Sequence, residues 1–92
     1  MDSADKECLR RNHLMLMNEV PYVIDSVMDY LYEHKVVSGI MMCEFKNVAS
    51  NIYKTRAVLI YLPKRGPQAF DKFCEALRRA GLEDVCAILK SR

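Results

Sequence analysis

A chain of 92 residues with 51% hydrophobic and 28% charged side chains has the composition of one globular domain, expected over residues 1–92, and excludes a disordered or low-complexity polymer. Fourteen Lys and Arg against twelve Asp and Glu leave a net charge of +2, too balanced for a surface that lives on nucleic-acid phosphates. The run Ala57-Val58-Leu59-Ile60-Tyr61-Leu62 is far too short to span a bilayer, and no basic-then-apolar leader opens the chain, so no membrane partner and a cytoplasmic location are expected.

Helix-length pieces follow one another in chain order. A first helix is expected from Ser3, as N-cap, to about Asn18, with Asp5 and Glu7 in its first turns. Leu9, His13, Leu16 and Val20 recur along it at helical spacing, widened by Leu14 and Met17. Pro21 stops that helix and suits the opening of a second, Tyr22 to about Glu33. This one carries Ile24, Val27, Met28 and Leu31 on one face, and Asp25, Asp29 and Glu33 four apart on another. Val36-Val37 is too short to argue a strand. Ser38-Gly39 opens a short third helix, Ile40 to Lys46, with Met41 and Phe45 pointing one way.

Ser50 or Asn51 caps a fourth helix, whose inner stripe is Thr55, Val58, Leu59 and Leu62 and which Pro63 ends or kinks. Gly66-Pro67 reads as a stop and a start, a glycine suited to the left-handed closing position before a proline suited to an opening turn. The fifth helix, Gln68 to Ala80, presents Phe70, Phe73 and Leu77, and Gly81 closes it. Glu83 and Asp84 open a sixth, carrying Val85, Ile88 and Leu89. Six short amphipathic helices with tight joints and no period-2 segment predict an all-α bundle.

Catalytic chemistry has no foothold in this pattern. Gly39, Gly66 and Gly81 stand too far apart for a phosphate-cradling loop, and the carboxylates fall on outward positions, so neither an enzyme nor a cofactor is expected. Cys8, Cys43, Cys74 and Cys86 form no C-x-x-C pair, and His13 and His34 lie near none of them. Reduced thiols, packed as small hydrophobes, are expected, with no metal. What remains is charge segregation: basic groups at Arg10-Arg11, Lys54, Arg56 and Lys64-Arg65, and acidic groups on the second helix. Such a pattern suits docking of complementary patches.

Several segments resemble caspase recruitment domains. Met1-Asp2-Ser3-Ala4-Asp5 before Leu9-Arg10-Arg11 is similar to the start of that family, and Tyr30-Leu31-Tyr32 to its second helix. The most specific likeness is Leu62-Pro63-Lys64-Arg65-Gly66-Pro67-Gln68-Ala69-Phe70-Asp71 running into Phe73-Cys74-Glu75-Ala76-Leu77-Arg78. It resembles the start of the fifth helix in initiator-caspase prodomains and in the adaptor that joins such a domain to a death domain.

The resemblance implies a six-helix antiparallel death-fold bundle that binds others of its kind, basic residues of helices 1 and 4 meeting acidic residues of helices 2 and 3. Arg10, Arg11 and Arg56 match the basic positions and Asp29 an acidic one; Lys54 and Arg65 are expected at the rim, and Asp25, Asp29 and Glu33 form the acidic face. Members that engage the apoptosome carry further arginines where this chain has His13 and Ile52. Met42 and Cys43 stand where acidic receivers have carboxylates, so the basic face is expected to be the functional one. The implied partner is the recruitment domain of an initiator caspase or adaptor. The chain itself is expected to be mostly monomeric, with weak self-association. Ninety-two residues ending just past the sixth helix resemble the stand-alone decoys of vertebrates and large DNA viruses, which limit caspase activation or innate signalling. The alternatives are an excised prodomain or adaptor domain that promotes recruitment, and, from another class, a small helical nucleic-acid binder.

Overall fold

Asp2 starts the first helix in the computed structural model, which describes residues 1–91. Arg92, the last residue of the expected domain, lies outside the described residues. The Asp2 carboxylate accepts the Asp5 amide at 2.8 Å, so the cap falls one residue before Ser3. The first expected helix is broken in two, α1 (Ser3–Arg11) and α2 (His13–Glu19). At the break the Asn12 side chain donates to the Cys8 carbonyl at 2.8 Å, an acceptor that its own backbone amide also uses at 3.1 Å. Asparagine competes with the ladder in this way and bends it. The apolar register therefore restarts: Leu9, Leu16 and Val20 are buried, whereas Leu14 is thrown out to 79% exposure.

A tight turn at Val20–Val23 holds Pro21 and leads to α3 (Ile24–Glu33), where Ile24, Val27, Met28 and Leu31 are buried as their spacing predicts. Lys35 then takes the left-handed conformation (φ 65°), the amide of Val36 donates to Leu31 O at 2.9 Å and that of Lys35 to Tyr32 O at 3.1 Å. This pair of hydrogen bonds is the usual helix-closing motif, here without its usual glycine. It drops Val36 and Val37 into the core as part of a turn.

Ser38 caps α4 (Gly39–Lys46) and Ser50 caps α5 (Asn51–Tyr61), through hydroxyls that accept the amides of Met41 and Tyr53. On α4 the core pair is Met42 and Phe45, three apart, while Met41 is only half buried. Pro63 turns the end of α5 into a short 3-10 turn, Leu62–Lys64. Gly66 is not left-handed; among the described glycines only Gly81 (φ 93°) is. Arg65 is extended instead, and the chain straightens before Pro67.

Helix α6 (Ala69–Arg79) is the centre of the molecule. It packs on α3, on the 62–64 turn and on α7 (Glu83–Lys90), and buries Ala69, Phe70, Phe73, Cys74, Ala76 and Leu77. Gly81 closes it with the same pair of bonds that Lys35 makes, Leu82 N to Leu77 O at 2.8 Å and Gly81 N to Arg78 O at 3.1 Å. In α7, Val85 and Leu89 are buried but Ile88 is 49% exposed. The all-α expectation stands: no strand occurs among the described residues, and the α-segments are the six expected helices with the first one broken.

Candidate interaction surface

Helix α5 turns Thr55, Val58 and Leu59 inward. Ile52, Arg56 and Ile60, four apart, follow one another along an exposed strip about a quarter turn round the helix from these, with Tyr53 beside Arg56. The Arg56 guanidinium lies over the Tyr53 ring, 5.6 Å from its centroid, and enters no ion pair among the described residues. A guanidinium stacked on a ring keeps its charge in place while its fork of donors stays open.

The other expected basic residues stand elsewhere. Lys54, half a turn round α5 from Arg56, points to α3 and meets Asp25 at 3.5 Å with only 15% of its side chain exposed. Arg10 is tied to Glu7 one turn earlier, its Nε donating to the carboxylate at 2.9 Å, and that hydrogen bond holds the Glu7 carboxyl below the usual carboxylate range. Arg11 lines a shallow hollow between α1 and α7 with Cys8, Ile88 and Ser91. Arg65 is a brace: its Nε donates to the Val36 carbonyl at 2.9 Å while its guanidinium lies over Tyr61, whose ring meets Phe45 edge-on at 5.5 Å. It ties the turn after α3 to the end of α5.

On the acidic side, Asp25 and Asp29 share one depression with Lys46 and Lys54, so lysines stand among the carboxylates. Glu33 is exposed at the end of α3. Met42 is a core residue rather than part of this surface, because α4 packs against both α3 and α5; Cys43 is the exposed one. Sequence reasoning missed Lys46 here and the apolar company of Arg56. The second was open to inspection, since the inner stripe of α5 leaves Ile52, Tyr53 and Ile60 outside.

The four cysteines stand unpaired and are not alike: Cys8 and Cys74 are buried, Cys86 is half buried and Cys43 is exposed. Among the described residues no group of three or more His, Cys, Asp or Glu is placed to hold a metal, and no helix is long and apolar enough to cross a membrane.

The sequence matches the caspase recruitment domain (CARD) model over residues 6–91, and the chain belongs to that family. It is 34% identical over 89 residues to Caspase-2 of Gallus gallus, a match covering 97% of this chain and 20% of that protein's length. The motif that carried the resemblance has a structural meaning here: Arg65 is the brace, and Ala69 and Phe70 begin the buried side of α6. The chain is thus a death-fold module for protein–protein interaction.

Proposed function

We propose that this CARD captures the CARD of an initiator caspase or of its adaptor through Arg56 on the outward side of α5, with Arg10 and Arg11 of α1 as supporting charges. The observation that carries this reading is Arg56 itself, exposed, held over Tyr53 and without a carboxylate partner among the described residues. Lys54 and Arg65 contribute less to docking than their charge suggests, because Asp25 and the Val36 carbonyl already occupy them. Asp25, Asp29 and Glu33 form a weak receiving side, since Lys46 and Lys54 stand among the first two. On this reading the domain lowers caspase activation in the cytosol by occupying the docking surface of its partner.

The likeness to Caspase-2 favours a second reading, an initiator-caspase prodomain that promotes recruitment through the same face. One pair of variants tests the docking. Arg56→Glu sets like charges face to face, a cost of several kcal/mol, and abolishes partner capture with the helical circular-dichroism spectrum unchanged. Asp29→Arg has the smaller effect. The reverse order assigns docking to the acidic side. Caspase activity in cells separates the readings: the wild-type chain lowers it as a decoy and raises it as a recruiter, and Arg56→Glu does neither.

A further inference from the structure

The outward side of α5 is apolar where a helix in water should be polar. Ile52 is 53% exposed, Tyr53 60% and Ile60 57%, all around Arg56. Ile52 also joins Met17, Pro21 and Tyr22 in lining a hollow between the 20–23 turn and the start of α5, and Tyr22 stands 88% exposed at its edge. Scattered apolar side chains on a surface are ordinary, whereas a continuous group of them marks a contact.

Arg56, the one cation in this patch among the described residues, decides what covers it. Arg56 brings an open fork of donors to an apolar surface, and burying it without a carboxylate leaves an uncompensated charge. The partner must therefore bring both a carboxylate and apolar side chains. A second copy of this chain fits poorly. Its own Asp25 is held by Lys54 at 3.5 Å, and Lys46 and Lys54 line the hollow that Asp25 and Asp29 share, so Arg56 would meet two like charges there.

We infer that this patch takes the CARD of a different protein, on a helix surface where a carboxylate is flanked by apolar side chains with no lysine beside it. Apolar burial by Tyr22, Ile52 and Ile60 holds the complex, and the Arg56 pair sets its register. The inference rests on the docking reading above and adds the chemistry of the partner's surface.

The test titrates the 92-residue chain against the purified region of Gallus gallus Caspase-2 that it matches. Wild-type affinity is expected to fall less than about tenfold when salt rises from roughly 0.1 to 0.5 M, because apolar contact is not screened. Ile52→Ser and Tyr22→Ser are each expected to weaken binding by roughly tenfold or more, and Ile52→Leu to retain it. Thermal midpoints stay at the wild-type value, since both residues lie outside the core. If both serine variants bind like wild type while Arg56→Glu does not bind, the docking reading stands and the apolar inference is overturned. If the wild-type chain does not bind, or Arg56→Glu binds as well as it does, the docking reading falls and takes the inference with it. A homodimer dissolved by Ile52→Ser would overturn the choice of a different protein as occupant.

Discussion

At the scale of single residues, environment separates groups that look equivalent in the sequence. The reactive form of cysteine is the thiolate, and burial of Cys74 in α6 pushes its thiol up from 9.0 to about 12. Cys43 stands exposed on α4. Alkylation at neutral pH is expected to mark Cys43 first and to leave Cys74 untouched until the fold is unfolded; equal rates by peptide mass spectrometry would mean that α6 opens readily. The raised thiol also makes stability fall with pH. Between about pH 9 and 12 the unfolded chain gives up this proton while the folded one keeps it, so unfolding gains over that window. Cys74→Val should flatten that part of the slope in denaturant titrations. Arg65 and Arg56 differ in the same way, one bonded inside and one open. Arg65→Ala is expected to cost about 1–2 kcal/mol of stability through the lost Val36 bond and the unstacked Tyr61. An unchanged denaturation midpoint would show that the brace carries no load.

At the scale of elements, two helices end by the same device with different residues. Gly81 and Lys35 both sit at positive φ behind α6 and α3, and both set up the double closing bond. A side chain in that conformation is strained and glycine is not, so Lys35→Gly should stabilise the domain by roughly 0.5–1 kcal/mol and Gly81→Ala should destabilise it by about 1 kcal/mol. Gly66→Ala should change little, because φ is ordinary there and an added methyl meets nothing within 4 Å. Urea melts of the three variants check the order. Equal effects at Gly66 and Gly81 would contradict the conformational account. These differences also show where sequence punctuation is legible: a glycine after an apolar stripe reads as a stop, but only the backbone tells a left-handed stop from an extended one.

At the scale of the molecule, one core holds everything. Phe70 and Phe73 of α6, Leu31 of α3, and Leu16, Leu62, Leu77 and Leu89 are all almost fully buried. Phe73→Ala leaves a cavity at the centre and should cost roughly 3–5 kcal/mol, a large share of what a domain this small has. A loss below about 1 kcal/mol would mean the ring is not packed in that core. The surface is divided as well as the core is joined. Arg56 lies on one side and the lysine-crowded Asp25–Asp29 depression on another, so any contact between copies is expected to be head-to-tail, to need no closure and to be weak. Sedimentation in dilute solution should show mostly monomer, and a two-fold dimer that persists at high salt would contradict this assembly.

The amino-acid sequence by itself determined the six helices apart from the break in the first, the Ser38 cap, the stop at Gly81 and the apolar stripes of α3 and α6, and it carried the motif of the CARD family; it left the cap of α5 between Ser50 and Asn51. All of these depend on residues within a turn or two of each other, so spacing and residue type suffice to read them. The tertiary structure decided what the charges do. Lys54 finds Asp25 across 29 positions of chain, and Arg65 finds the Val36 carbonyl across another 29. It also decided that Met42 rather than Met41 enters the core, because α4 packs against both α3 and α5. Partners that lie on different helices are brought together only by packing, and a cation's freedom to dock is what packing leaves over.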